Sequence, residues 1–384
     1  MSSLVNLPPE LSLLIVRQLP ASDLCSLRSS CSSMRDICDM EAVWLRRCQQ
    51  DFNVEISPDT SARHIYQNLL YKFGHLLGTW QRLNLTFYGG LLRVYYEAGA
   101  IKFEHLMPTS DIYQELSRLQ FLTMTDTSVE NHDLLTCREK AVVRQEDEGE
   151  LVVAVPSLTE YITSPAEWRD LLDTFRAWDT TRSTESAVMK FVSVYHNRNL
   201  FLYSRVLTED WRNLHHGQHR SGCALLSSLT PGVFKGDYGG HGIELVHFRD
   251  GQAVKVTGDP NVPFNQVTFR VTGPQCLDLS LETQRSLAEV REATESGLHL
   301  HTSHSGQRLK FLVPEQMVQR LPVTWSDCLG RWATQAQIAS HMFQDSQFIL
   351  ANLVLFSQDE FAVMFLDLNT IAMFHRVKEL ELKN

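Results

Sequence analysis

Cysteine pairs at C-x-x-C spacing are absent from this 384-residue chain. Its eight cysteines stand at 25, 31, 38, 48, 137, 223, 276 and 328, half of them within the first fifty residues in what reads as helix. That spacing argues against a disulfide framework and implies reduced, mostly buried thiols in a cytosolic or nuclear protein. Long apolar runs are missing too. No window approaches the roughly eighteen residues that a membrane-spanning helix needs. The start, MSSLVNLPPELS, has neither a basic nor a long apolar region, so no secretory leader is expected. Positive charge is in deficit: 35 Lys and Arg against 45 Asp and Glu give a net charge of −10. Non-specific nucleic-acid binding needs a basic footprint, so that class is excluded, and an anionic membrane surface is an equally poor partner. Also lacking are G-x-x-x-x-G-K-[ST], H-E-x-x-H, and G-x-S-x-G at a strand-to-helix turn. No repeat of 20–50 residues and no low-complexity run is found.

What is there is an apolar-rich chain, 43% hydrophobic, long enough for two or three domains. The pattern predicts an α+β protein: a helical head, then a mainly antiparallel, β-barrel-like body with inserted helices. In the head, Pro8 and Pro9 open a helix carrying Leu11, Leu14, Ile15 and Leu19 at helical spacing. Pro20 stops it, and Ser22 or Asp23 is expected to cap a second helix with Leu24, Leu27 and Cys31. Ile37, Val43, Trp44 and Cys48 form a third apolar set. So small a bundle is marginal alone and should pack against a partner. ARHIYQNLLYKFGHLLGTWQR, residues 62–82, reads as an amphipathic helix, with Trp80 inserted between it and the body.

Beyond it the period changes. GGLLRVYYEAGAIKFEHL alternates between glycines, as a strand pair does, and many short strand candidates follow at near-regular spacing, from RLQFLTMT and EGELVVAVPS through KFVSVYHN to EFAVMFLDL. Two helical stretches interrupt them, residues 164–191 and 278–297.

The ordered set Leu7-Pro8-Pro9-Glu10-Leu11, Leu19-Pro20, Asp23-Leu24, Cys31, Arg35 and Trp44 resembles an F-box. That resemblance implies docking of the head onto the adaptor Skp1, and through it onto the cullin and RING subunits of a ubiquitin ligase, with Leu7, Pro8, Leu11, Ile15, Leu19, Leu24 and Trp44 as contact residues. Exposed apolar anchors on a few helical turns are what helix-in-groove docking needs. The body extends the likeness. FKGDYGGHGIELV followed by KVTGDPNVP, with YKFGHLLGTWQ, FYGGLLRV, VMKFVSVY and RWATQAQIASHMF, is similar to the F-box only protein 31 family. Members are substrate receptors with a barrel-like body, linked to cyclin D turnover and to reading protein C-termini, C-terminal amides included. The expected division is an F-box over 4–50, a helical linker over 51–82 and a substrate domain over 83–384. Ubiquitin transfer would belong to the partners, so the chain itself is read as non-catalytic, without cofactor.

Departures from the family matter. Relatives carry a Cys/His cluster suited to zinc between the early strands and the middle helix. This chain offers only His132 and Cys137 there, too few for a structural site, which normally has four N or S ligands. No metal is therefore expected. His215, His216, His219 and Cys223, and separately His299, His301 and His304, could ligate a transition metal but stand among Gly and Ser, as surface loops do.

The stretch VFKGDYGGHGIELV, 233–246, admits three readings. A phosphate cradle needs a helix after its glycines, and IELVHF reads as strand. Asp237, His241 and Glu244 could form an acid–base set. The third reading is a hairpin corner in which Gly236, Gly239, Gly240 and Gly242 permit positive φ, with Phe234, Tyr238 and His241 lining a ligand pocket. Its expected partner is VKVTGDPNVP, with Lys255 at a strand end and Asp259 in a Gly-Asp-Pro-Asn turn. An ammonium beside a carboxylate suits a primary amide, which offers both an oxygen and an NH₂. A free carboxylate would face Asp259. The alternative is a Lys255–Asp259 salt bridge with Asp259 capping its own turn.

Overall fold

The computed structural model describes residues 7–82, 87–131, 142–145, 150–154, 200–206, 229, 231–297, 300–301, 308–317 and 326–380. Outside these lie the expected helix 164–191, the strand KFVSVYHN, His132 with Cys137, the cluster of His215, His216, His219 and Cys223, and His299 and His304.

The head is built of α1 (Pro9–Val16), α2 (Ala21–Arg28), α3 (Ser32–Cys38) and α4 (Glu41–Phe52). Pro8 and Pro20 occupy the positions before α1 and α2, and neither helix has a side-chain cap. Ser22 and Asp23 therefore lie in the first turn of α2 rather than at its cap, where Asp23 still favours the helix dipole. Val16, Leu24, Met34, Val43, Trp44 and Cys48 make the core. The Trp44 indole donates to the Cys38 carbonyl at 2.8 Å. Burial pushes the Cys48 thiol up to about 12. The core continues into Ala62, Ile65, Tyr66 and Leu70 of the next helical segment, so the head is completed by the chain itself.

That segment is shorter than its periodicity implies. It runs through a helical turn (Ala62–Ile65), a π-helical turn (Tyr66–Leu70) and a last turn (Tyr71–Phe73), then becomes 3-10 at Gly74–Leu76. Gly78, at φ 136°, ends it, and β1 (Gly78–Arg82) begins a sheet. Trp80 belongs to β1, is fully buried, and donates to the Leu76 carbonyl at 2.8 Å. The sheet thus starts at Gly78, inside the stretch expected to be linker.

The body is mainly antiparallel, as expected, and holds two large sheets. The first sheet adds β2 (Leu91–Glu97), β3 (Ala100–Met107), β4 (Ser117–Met124), β5 (Val129–Asn131), β6 (Val142–Gln145), β7 (Glu150–Ala154) and β8 (Leu200–Val206). Its order is β5-β4-β3-β2-β1-β8-β7-β6, antiparallel throughout.

The second sheet closes on itself. It comprises β9 (Gly232–Asp237), β10 (Ile243–Arg249), β11 (Gln252–Lys255) and β12 (Val267–Leu277), then, after β13 (Leu300–His301), β14 (Leu309–Lys310) and β15 (Asp327–Cys328), β16 (Gly330–Ser340), β17 (Gln344–Leu355), β18 (Glu360–Phe365) and β19 (Thr370–Arg376). Pairing runs β11-β10-β9-β19-β18-β17-β16-β12, and β12 pairs back to β11, giving an eight-stranded antiparallel barrel. Closure removes the unpaired edges that an open sheet leaves. His301, expected in a loop, sits in β13 opposite Cys276.

Strand alternation sends one set of side chains inward. Phe234, Phe248, Phe269, Phe361 and Phe374 fill the interior, with Phe361 and Phe374 stacked at 4.6 Å. A second apolar layer lies between the β17–β19 face and the helix Leu287–Ser296. The expected helix 278–297 is two pieces, broken at Ser286, whose side chain caps the second. Four of the six described cysteines are buried, and all six are free thiols.

Candidate functional site

Four connections crowd one end of the barrel: β9–β10, β11–β12, β16–β17 and β18–β19. Between them opens a cavity of about 480 Å³. One wall is apolar, from Val262, Ile338, Phe365, Leu368 and Ile371. The other carries Tyr238, His241, Lys255, Asp259 and Thr268.

The β9–β10 corner is built as follows. Asp237 Oδ1 accepts from the Gly239 amide at 2.7 Å, which turns the chain. A 3-10 turn, Gly239–His241, follows, with φ positive at Gly239 (65°) and Gly242 (82°). Gly236 and Gly240 do not share that conformation. Gly236 is needed for space instead: a Cβ there would stand 2.2 Å from the Phe374 ring. The turn delivers His241 to the rim, with its side chain 49% exposed. Tyr238 reaches inward, its hydroxyl 2.9 Å from Thr268 Oγ1 and its ring edge-on to Phe374. Phe234 shares that inward face but lies deeper, fully buried between Phe248 and Phe361. It is not a pocket wall residue, because the four-residue step from it to Tyr238 displaces a side chain by about 13 Å along the strand direction.

The β11–β12 connection starts with a bulge. The amides of Val256 and Thr257 both donate to the Leu245 carbonyl, at 2.8 and 3.1 Å. This extra residue re-aims the chain into the Gly258–Val262 turn. Asp259 Oδ1 accepts from the Asn261 and Val262 amides at 2.6 and 2.8 Å. The turn is pinned from two sides. Asn261 Nδ2 donates to the Ala339 carbonyl at 2.9 Å, and the Phe343 amide donates to the Pro260 carbonyl at 2.8 Å. Behind it, the Gly258 and Phe264 amides donate to the carbonyls of Tyr88 and Phe87, and Gly89 bridges Thr257. The first sheet therefore buttresses the turn.

A charged cluster results. Lys255, 2% exposed, contacts the carboxylate of the fully buried Glu244, lies 3.7 Å from Asp259 Oδ2, and sits 4.4 Å above the Tyr238 ring. His241 Nδ1 is 3.0 Å from the same Asp259 Oδ2. Burial alone would raise the Asp259 carboxyl, but the His241 hydrogen bond and the Lys255 charge outweigh it and hold it well below the usual carboxylate range. In return the Asp259 hydrogen bond raises the His241 imidazole above its ordinary value, against the opposing effect of burial. Desolvation keeps the Tyr238 phenol neutral.

Sequence reasoning thus placed Lys255, Asp259, Tyr238 and His241 together, and the structure does bring them together. It overlooked Glu244 as a member of the cluster, Lys255's nearer carboxylate. Alternation in IELVHF is the signal, since it puts Glu244 on the face of Val246 and Phe248. Asp259 caps its own turn with one oxygen, and its other oxygen faces His241 and Lys255 at the cavity. The acid–base set is dispersed, with Asp237 engaged in its own turn, Glu244 on Lys255 and His241 on Asp259. Among the described residues, no group of three His, Cys, Asp or Glu is arranged to hold a metal ion, and no helix is long and apolar enough to cross a membrane.

In the head, Leu11, Leu14 and Ile15 are exposed at 48%, 56% and 43%, and Pro8 is exposed beside them. Leu7 and Leu19 are half-buried. Leu24 and Trp44, expected as contact residues, are buried to 0% and 1%. They hold α1–α4 together from inside and are unavailable to a docking surface.

An F-box-like family model matches residues 4–50, the span of this head. A second, described as Cyclin D1 binding domain, matches 215–380 and covers the whole closed barrel. F-box only protein 31 of Rattus norvegicus is 26% identical over 98% of this chain and 85% of its own length. The chain is a relative of F-box only protein 31. The Homo sapiens protein of that name is 29% identical over 75% of this chain and 56% of its own, and F-box only protein 31-B of Xenopus laevis 25% over 98% and 84%. The F-box only protein 31 likeness therefore spans head, first sheet and barrel, whereas the two family models leave the first sheet, 78–206, unmatched.

Proposed function

We propose that this chain is the substrate-recognition subunit of an SCF-type ubiquitin ligase, docking on Skp1 through α1 and capturing client C-termini in the barrel mouth. It performs no bond chemistry itself. The observation that carries the second part is the charge balance of the pocket: two carboxylates, Glu244 and Asp259, face one ammonium, Lys255, with all three side chains almost wholly buried. A C-terminal amide brings no charge. Its NH₂ donates to Asp259 Oδ2 and its oxygen accepts from the polar wall. A terminal carboxylate adds a third negative charge in a desolvated site, where repulsion is poorly screened. The apolar wall of Ile338, Phe365 and Ile371 suits the side chain next to the terminus.

The barrel's likeness to a cyclin D1 binding domain makes the C-terminal segment of cyclin D1 the peptide to try first. Fluorescence anisotropy on the complex with Skp1, at mildly alkaline pH where the His241 imidazole is neutral, should give tighter binding for this segment as amide than as acid, by about tenfold or more. Equal binding, or none, sinks the end-group reading. Asp259→Asn is the surgical variant, since its side-chain oxygen can keep the Asn261 and Val262 bonds while the charge is lost. Its amide preference should shrink; undiminished preference would assign Asp259 to the turn alone.

A further inference from the structure

His241 is half exposed at the rim and shares Asp259 Oδ2 with Lys255, while Asp259 Oδ1 is taken by its own turn. Oδ2 is therefore the oxygen left for a ligand, and His241 stands on it already. Every other charge near the imidazole is fixed by a partner. Glu244 of β10 is bound to Lys255, Lys255 of β11 is buried, and Asp237 of the same corner holds the Gly239 amide. From β16 and the β18–β19 side the lining is uncharged: Gln337, Ile338, Ala339, Phe365, Leu368 and Thr370. Among the described pocket-lining residues, His241 is the one whose charge is free to change near neutral pH.

We infer that His241 sets which end group the pocket accepts: with the imidazole charged, the cluster sums to zero and a terminal carboxylate is tolerated, and with it neutral, the cluster carries −1 and only uncharged ends such as amides bind well. This rests on the C-terminus reading above and adds to it a specificity-determining residue with a direction. The hydrogen bond to Asp259 favours the charged imidazole, so the change falls above the ordinary histidine range. A peptide's own α-carboxyl ionises near 3.3–3.7, so it is charged throughout and only the protein titrates.

The experiment is anisotropy on the Skp1 complex between about pH 5.5 and 9 at constant ionic strength, with one peptide free of titratable side chains, made as amide and as acid. The acid should weaken by about tenfold as pH rises, while the amide stays level, as expected for one unit charge lost a few ångströms from the carboxylate. In His241→Gln, which still offers an N–H to Asp259 but cannot charge, the acid should bind weakly at every pH and the acid-to-amide ratio should be low and flat. A purely structural role would weaken both peptides alike. An acid-to-amide ratio flat with pH, or the same slope in His241→Gln, overturns the inference while leaving the amide preference standing. Failure of both peptides at every pH overturns the C-terminus reading and this inference with it.

Discussion

Glu244 shows what a single buried residue decides. It lies at the mouth end of β10 with no exposure and a direct contact to the Lys255 ammonium, itself only 2% exposed. Ion pairs this deep contribute little net stability, because desolvation cancels most of the attraction, yet removing one partner is costly. Glu244→Ala leaves Lys255 with only the more distant Asp259, and should destabilise the barrel by about 3–5 kcal/mol in denaturant unfolding. The double variant Glu244→Leu/Lys255→Met replaces the pair with apolar groups. It should recover most of that loss and still fail to bind either peptide. Recovery of stability with binding intact would show that the pair serves folding alone. At this scale the sequence was half readable. Lys255, Tyr238, His241 and Asp259 were accessible from residue type and turn chemistry. The Glu244 partnership was hidden because its meaning depends on a neighbour eleven residues away that only strand pairing brings close. Phe234 misled for the converse reason, since an aromatic beside a glycine corner carries no mark of its depth.

Elements with local causes were legible. Asp250-Gly251 joins β10 to β11, and Ala98-Gly99 joins β2 to β3, both as two-residue turns at positive φ. The over-long helix at 62–82 was not, because Leu76 and Trp80 satisfy a helical period as well as a strand's, and only pairing with β2 and β8 decides for the strand. The contact between the first sheet and the β11–β12 turn was also beyond reach. It is made by backbone, with Gly89 at φ 62° and no room for a side chain: a Cβ would stand 2.3 Å from the Val256 carbonyl oxygen. Gly89→Ala should therefore push the 87–89 segment off the turn, cost about 1–3 kcal/mol of stability, and loosen Asp259 without touching the pocket lining. The expected readout is amide-peptide affinity down several-fold with faster hydrogen exchange at the Gly258 and Phe264 amides. Unchanged exchange there would show that the buttress is dispensable.

For the whole molecule, barrel closure rests on β19 pairing with β9 and β12 with β11, the first of these across well over a hundred residues, and no local pattern announces such a pairing. What alternation did announce was the class, many short antiparallel strands after a helical head. The two proposed surfaces are separate in chemistry as well as in place. On α1 the stripe of Leu11, Leu14 and Ile15 repeats at i, i+3 and i+4 and has no cover among the described residues, which is the form an apolar groove accepts. At the barrel mouth the surface is a closed polar cluster facing an apolar wall. Between them the first sheet is joined to the head by the 62–76 segment and to the barrel by a shared apolar layer of Leu91, Leu106, Leu116, Leu245 and Val256. Such a connection lets each surface be disabled alone. Leu14→Asp with Ile15→Asp places charge where Skp1 would bury it and leaves Val16, Leu24 and Trp44 in their core. Capture by purified Skp1 should fall at least a hundredfold, since each uncompensated charge costs several kcal/mol on burial, while amide-peptide affinity stays within about twofold. Asp259→Asn should give the reverse pattern, full Skp1 capture with blunted end-group preference. A loss of peptide binding in the α1 variant, with the protein folded, would mean that the head and the barrel mouth are one site and not two.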